Sequence, residues 1–113
     1  MRLAVAIPLV VLTFSILAGC SGSSGPTVAV QTVNVKINAA GFYPVEVFIH
    51  VGSSVAWKNT DTVVHTVTAD AGAFDSGNLA SGGSFTQTFQ NAGTFAYHCK
   101  VHARMTGTVT VSA

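Results

Sequence analysis

The chain has 113 residues, which is enough for one small domain, and charged residues make up only 8% of it. Its formal net charge is +1, and the charge falls to zero without Arg2, because four basic side chains then balance four acidic ones. A neutral domain lacks the basic surface that nucleic-acid binding requires, so we expect no nucleic-acid partner.

The first residues predict an export signal. A short positive start is followed by a mostly apolar run over residues 3–17, which is shorter than the roughly 20 residues that span a bilayer. The next stretch, Leu17-Ala18-Gly19-Cys20, resembles a bacterial lipobox, which implies that residues 1–19 are removed and Cys20 is lipidated. The alternative is an ordinary signal peptide that is cut nearby and leaves Cys20 free. We therefore expect a lipid anchor to a membrane of the bacterial cell envelope, with the protein facing the periplasm or the exterior.

Residues 20–27 hold the expected lipidated cysteine and a tether rich in serine and glycine. Such a stretch is too small and too polar to pack, so it behaves as a flexible linker. The folded domain is predicted to cover residues 28–113.

Alternation of apolar and polar side chains with a period of two dominates residues 28–113. It is clearest in Val33-Asn34-Val35-Lys36-Ile37, in residues 45–51 and in the closing Thr-Val-Thr-Val, with glycine- or asparagine-containing turns between the runs. Short alternating segments with frequent turns predict an all-β fold, namely a Greek-key β-sandwich of about seven to eight strands. Residues 70–82 are the least regular part and are expected to form a loop with a short turn of helix, in which Phe74 and Leu79 cover the core.

One further alternating run carries a histidine. His65 is expected to share a strand face with Val63 and Val67, opposite Val64 and Thr66. A single histidine on a strand is most often a surface or core residue, as we expect for His50, so His65 gains meaning only from other residues.

Those other residues lie near the C-terminus, in the pattern Cys99-x2-His102-x2-Met105 at the end of a predicted strand. Two imidazoles, a thiolate and a weak axial thioether are the ligands of a blue-copper site, because soft sulfur favours Cu(I) and imidazole suits both oxidation states. Zinc is an alternative for two histidines and a cysteine. The alternative for Met105 is core packing, which is the common role of methionine.

The stretch around Cys99 resembles the ligand loop of cupredoxins of the plastocyanin and amicyanin type. The resemblance extends over nearly the whole domain. It includes the segments Gly41-Phe42-Tyr43-Pro44, Val55-Ala56-Trp57-Lys58-Asn59, His65-Thr66-Val67-Thr68, Ala92-Gly93-Thr94-Phe95 and Met105-Thr106-Gly107-Thr108-Val109. It implies one type 1 copper ion, held by His65, Cys99, His102 and the axial Met105.

The resemblance also implies surroundings for these ligands. The backbone N–H of Thr66 would donate to the Cys99 sulfur and tune the potential. Thr66 stands where many relatives have Asn, which leaves side-chain bracing of the loops open, and Ala103 stands where many have Pro. His98 should point away from the metal and could line a docking surface.

The function implied is one-electron transfer between membrane-associated redox proteins that dock transiently near His102, by a monomer that is not an enzyme. A copper carrier or sensor in the cell envelope is the alternative, although such proteins tend to expose several Met or His residues and this chain has only two methionines. A multicopper oxidase would need more than the four histidines present.

Overall fold

The fold was analysed in a computed structural model, which describes residues 29–113. Eight strands form within this range. In chain order they are β1 (Thr32–Asn38), β2 (Gly41–Tyr43), β3 (Glu46–His50), β4 (Ser54–Asn59), β5 (Thr68–Ala69), β6 (Ser84–Thr88), β7 (Gly93–His98) and β8 (Thr106–Ser112). The predicted all-β class and the strand number are confirmed. The expected signal peptide, the tether and the lipidated Cys20 lie outside the described residues.

The strands form two four-stranded sheets packed as a sandwich. Their orders are β2-β1-β4-β6 and β3-β8-β7-β5. The pairs β1–β4 and β3–β8 are parallel, whereas β1–β2, β4–β6, β5–β7 and β7–β8 are antiparallel. Parallel neighbours far apart in sequence require the chain to cross between the sheets, which brings distant segments together at each end of the sandwich.

Alternation in the sequence places one face of most strands in the core. Along β8 the valines Val109 and Val111 are buried, while the threonine before each valine is only partly covered. Strand β3 buries Val47 and Ile49 in the same way. The centre is aromatic, because Trp57 packs edge-on against Tyr97 with ring centroids 5.3 Å apart. The core is therefore assembled from both inner faces, as in other sandwiches.

The segment around His65 differs from the prediction. Val63 and Val64 are exposed, whereas residues 65–68 are all buried, so the expected two-face alternation is wrong there. The reason is that residues 70–82 cover the outer side of this segment. His65 and Leu79 exchange both backbone hydrogen bonds, at 3.1 and 2.8 Å, and form only an isolated bridge.

The covering segment is itself irregular, and the expected turn of helix within residues 70–82 is not present. Phe74 and Leu79 are buried in the core, as predicted. Between residues 29 and 113 no helix is long and apolar enough to cross a membrane.

The two ends of the sandwich differ in what they carry. The ends of β1 and β4, the loop after β7 and the segment around His65 gather at one end, where Ala39 and Ala40 line a cavity together with His65 and His102. The first residue of β1, Thr32, lies at the far end of that strand, about 20 Å away at 3.3 Å per residue.

Candidate metal centre

A tight loop after β7 holds three of the predicted ligands. Cys99 is the first residue after the strand, and its N–H donates to the carbonyl oxygen of Met105 at 3.0 Å. The N–H of Met105 in turn donates to the carbonyl oxygen of His102 at 2.8 Å. These bonds close the loop on itself, so the x2 spacings place all three side chains at the same end of the sandwich.

His65 reaches this loop from the segment that connects β4 of one sheet with β5 of the other. Cys99 Sγ lies 3.8 Å from His65 Nδ1 and 3.8 Å from His102 Nδ1, and the three atoms lie within 4.8 Å of one another. A sulfur and a nitrogen that share a metal at about 2.3 and about 2.1 Å, at the 120° of a trigonal site, are separated by about 3.8 Å. The arrangement therefore fits a metal held by two histidines and one cysteine.

Met105 lies beside this group and is 7% exposed. It lines the same cavity as His65 and His102. Its place agrees with the expected thioether ligand, and the axial role stays a prediction.

Asp61 orients the imidazole of His65. His65 Nε2 lies 2.9 Å from Asp61 Oδ2, and an ionised carboxylate only accepts hydrogen bonds, so Nε2 carries the proton and donates. In the neutral ring the Nδ1 atom on the Cys99 side then keeps its lone pair, which is the tautomer that a metal ligand needs. This role of Asp61 was not predicted from the sequence, because an aspartate in a turn is common and only its place four residues before His65 could have indicated it.

The charges in this pair follow from the same contact. The hydrogen bond from His65 lowers the pKa of Asp61. Burial of the His65 ring opposes its protonation, but the hydrogen bonds to Asp61 and Cys99 outweigh burial and raise the pKa of His65.

Cys99 is fully buried and yet favours its thiolate form. Burial alone would raise the pKa of the thiol. The N–H of Thr66, which donates to Cys99 Sγ at 3.3 Å, and the two neighbouring imidazoles lower that pKa to about 6. The predicted contact from Thr66 is confirmed, and the sulfur is prepared for a metal because the thiolate is the ligand form.

The side chain of Thr66 also braces the site. Its Oγ1 accepts the backbone N–H of Lys100 at 2.8 Å. The Thr66 hydroxyl thus braces the loop on the C-terminal side of Cys99. This bracing had been left open because many relatives have Asn at the position of Thr66.

The residues around the site divide between a polar and an apolar surface. His98 points away from the metal group, as predicted, and its Nδ1 contacts Asp70 Oδ1 at 2.6 Å. His102 is exposed, with Val101 51% exposed next to it, and Val63 and Val64 are exposed as well. Val63 had been predicted to share a strand face with His65, but it is 48% exposed whereas His65 is buried.

Comparisons with known proteins agree with this geometry. Residues 8–111 match the family model of the cupredoxin-like domain. Chloroplastic plastocyanin of Tetradesmus obliquus is 36% identical over 98 residues, which cover 72% of this chain and 68% of the relative. Amicyanin of Paracoccus denitrificans is 33% identical over 91 residues, which cover 74% and 68%.

Solved structures give the same picture. A purple cupredoxin from Nitrosopumilus maritimus superposes with a TM-score of 0.66 at 30% identity, over 71% of this chain and 99% of that one. A Cu(I) structure of an amicyanin variant superposes with a TM-score of 0.68 at 28% identity, over 72% and 82%.

Proposed function

The chain belongs to the cupredoxin-like family, and we propose that it is a small blue copper protein that carries single electrons between redox proteins of the bacterial cell envelope. The observation that carries this proposal is the convergence of one thiolate and two imidazole nitrogens within 4.8 Å, with Met105 beside them. The relatives are plastocyanins and amicyanins, which are electron carriers and not enzymes.

The donor set favours copper over zinc. Structural zinc sites are usually tetrahedral and use cysteine and histidine without a thioether. The sulfur-to-nitrogen separations of 3.8 Å fit a shared metal, and the nearby methionine supplies the thioether that belongs to a blue-copper ligand set. A bound copper ion would supply a centre that takes up and releases one electron.

The side chains of this protein would hold that centre still and connect it to the surface. Cys99 and His65 are buried, at 0% and 1% exposure, and exclude water from their side of the site. The exposed ring of His102 offers the shortest route to solvent, and the rim of Val63, Val64 and Val101 offers an apolar contact area. A small apolar area of this kind suits brief docking between redox proteins.

A copper carrier or sensor is the second candidate. Transfer of the metal itself would require that incoming ligands reach it, and exposed methionines would favour such exchange. Two of the three closely grouped ligand atoms are on buried residues, and Met105 is the only methionine between residues 29 and 113. These features favour electron transfer.

The membrane context is part of the proposal and rests on the lipobox-like sequence before Cys20. The tether leads into β1, whose first residue lies at the end of the sandwich away from His102. An anchor at Cys20 would therefore join the domain at the end opposite the metal site, and the flexible tether would leave that site accessible to partners.

Copper binding to the purified chain tests the central claim. We expect Cu(II) to give an intense thiolate-to-copper absorption band and narrow copper hyperfine splitting in electron paramagnetic resonance. Cys99→Ser should lose both signals, while His98→Ala, a matched change at the adjacent residue that points away, should keep them. Absence of the band, or its survival in Cys99→Ser, would refute the proposal.

A separate experiment tests the anchor. Cys20→Ala should release the protein from the membrane fraction into the soluble fraction. Retention of the variant on membranes would show that lipidation at Cys20 is not what holds the protein there.

A further inference from the structure

A closed ring of hydrogen bonds lies behind the metal group. The N–H of Lys100 donates to Thr66 Oγ1 at 2.8 Å, and Thr66 Oγ1 lies 3.0 Å from Thr68 Oγ1. Thr68 Oγ1 contacts Asp75 Oδ1 at 3.1 Å, and Lys100 Nζ donates to Asp75 Oδ2 at 2.7 Å. The ring thus joins the residue after Cys99, the segment after His65 and the covering loop of residues 70–82.

The Asp75 carboxylate fixes the direction of the two hydroxyl hydrogen bonds in the ring. Its pKa is lowered by the hydrogen bond from Lys100 and by the N–H of Gly77, so it is ionised and can only accept. Thr68 therefore donates its single hydroxyl proton to Asp75 and accepts a hydrogen bond from Thr66. The Thr66 hydroxyl then donates to Thr68, and its oxygen is left free to accept the N–H of Lys100.

Loss of a hydrogen-bond partner would cost free energy for either hydroxyl. Thr66 and Thr68 are buried, at 2% and 8% exposure, so a hydroxyl that lost its partner would remain out of water. The ion pair of Lys100 with Asp75 is half exposed and by itself contributes little to stability. Its effect is to hold the carboxylate where Thr68 can reach it.

Thr66 connects this ring to the metal ligand. Its backbone N–H donates to Cys99 Sγ, and its side chain accepts the N–H of the next residue, Lys100. Thr66 therefore holds Cys99 from both sides, and the position of its hydroxyl depends on Thr68 and Asp75.

We infer that Asp75 is a positioning residue for Cys99, which acts through Thr68 and Thr66 to hold the ligand loop in place. The relevance of this to electron transfer rests on the proposed function, but the hydrogen-bonded ring itself does not require a metal. The ring keeps the thiolate and the Thr66 N–H in register, so the site needs little rearrangement on metal binding.

Amide hydrogen exchange in the metal-free protein tests the inference. Asp75→Ala should speed exchange of the Lys100 amide about fivefold, the factor that one ordinary hydrogen bond contributes. Asp75→Asn keeps an oxygen that accepts from Thr68 and should restore most of the protection. Asp70→Ala is the matched control, because Asp70 pairs with His98 and lies outside the ring.

A second substitution distinguishes a connected chain from general loosening of the loop. Thr68→Val should accelerate the Lys100 amide as Asp75→Ala does, and the double variant should show no further acceleration, because both changes break the same chain. Unchanged exchange in both single variants, or effects that multiply fully in the double variant, would overturn the inference.

The copper-loaded protein provides the second measurement. Loosening the Thr66 N–H bond to Cys99 Sγ makes the thiolate a stronger donor and favours Cu(II), so Asp75→Ala should lower the reduction potential and Asp70→Ala should not. If the chain binds no copper with a thiolate band, the proposed function fails while the exchange result still decides the role of Asp75. If the band forms and neither exchange nor potential changes in Asp75→Ala, the inference on Asp75 fails alone.

Discussion

The contact between Gly107 and Tyr97 gives the sharpest prediction about the fold that positions the site. The two residues lie opposite each other on β8 and β7, and the Tyr97 ring covers the glycine. A Cβ atom placed on Gly107 would lie 2.4 Å from both Cζ and the hydroxyl oxygen of Tyr97, and 2.9 Å from its Cε1. Real Cβ contacts are not this short, so Gly107→Ala must displace the ring or the strand.

The ring has little room to move. Tyr97 is fully buried, and Phe42 and Trp57 pack edge-on against it with centroids 4.7 and 5.3 Å away. Overpacking of a dense core costs about 1–3 kcal/mol, and we expect about 3 kcal/mol here because the ring is confined on several sides. In a domain of this size that corresponds to a fall in Tm of about 12–24 °C.

Urea unfolding of the metal-free protein measures this change. Tyr97→Leu should itself lower the free energy of unfolding by about 3 kcal/mol through the cavity it leaves. The double variant should be more stable than the sum of the two losses predicts by about 1–3 kcal/mol, because the new methyl group occupies space that the ring has vacated.

A milder change supplies the control. The Tyr97 hydroxyl has no hydrogen-bond partner among the described residues, so Tyr97→Phe should leave the free energy of unfolding nearly unchanged. If Gly107→Ala unfolds within about 0.5 kcal/mol of the parent, as an ordinary surface change does, the close approach of β8 to Tyr97 is refuted.

Three further predictions concern the site. Asn59→Ala should cost about 3 kcal/mol in urea unfolding, because the buried amide donates to two backbone carbonyls at 2.8 Å and accepts one N–H, and a loss under 1 kcal/mol would contradict this. The lowered pKa of Cys99 adds stability that is present above about pH 8.5 and is lost as pH falls to about 6. As pH rises over this range, the free energy of unfolding of the metal-free parent should increase by about 3 kcal/mol relative to that of Cys99→Ser. Parallel pH profiles of the two proteins would refute this prediction. Asp61→Asn should weaken copper affinity about 10–100-fold in competitive titration by freeing the His65 tautomer, whereas equal affinity in Asp61→Asn and the Asp70→Asn control would exclude that role.

Much of the sandwich follows from the sequence because most strands bury one face and leave the other more exposed. The period of two in β3 and β8 assigns each side chain to the core or to solvent, and the structure confirms these assignments. The rule fails over residues 65–68, because it assumes that one strand face contacts solvent, and the covering segment around Leu79 buries that face as well.

The candidate ligands also differ in how far they could be predicted from the sequence. Cys99, His102 and Met105 are close in sequence, and a single tight loop is enough to bring them together. His65 is far from them in the chain, so its assignment depended on family resemblance and on which strand ends meet at one end of the sandwich. The lipid anchor at Cys20 and the monomeric state remain predictions.

The sequence by itself determined the fold class, the donor types and the short spacings, because alternation and local loops depend on residues that are neighbours in the chain. Only the tertiary structure decided that Asp61 orients His65 and that Asp75 is linked to the backbone N–H of Lys100 through two threonines. Aspartate and threonine are ordinary residues of turns and strands, so nothing in their local pattern marks them. Their roles arise because the crossing connections of the sandwich bring separate segments within hydrogen-bond distance, where burial makes each polar contact count.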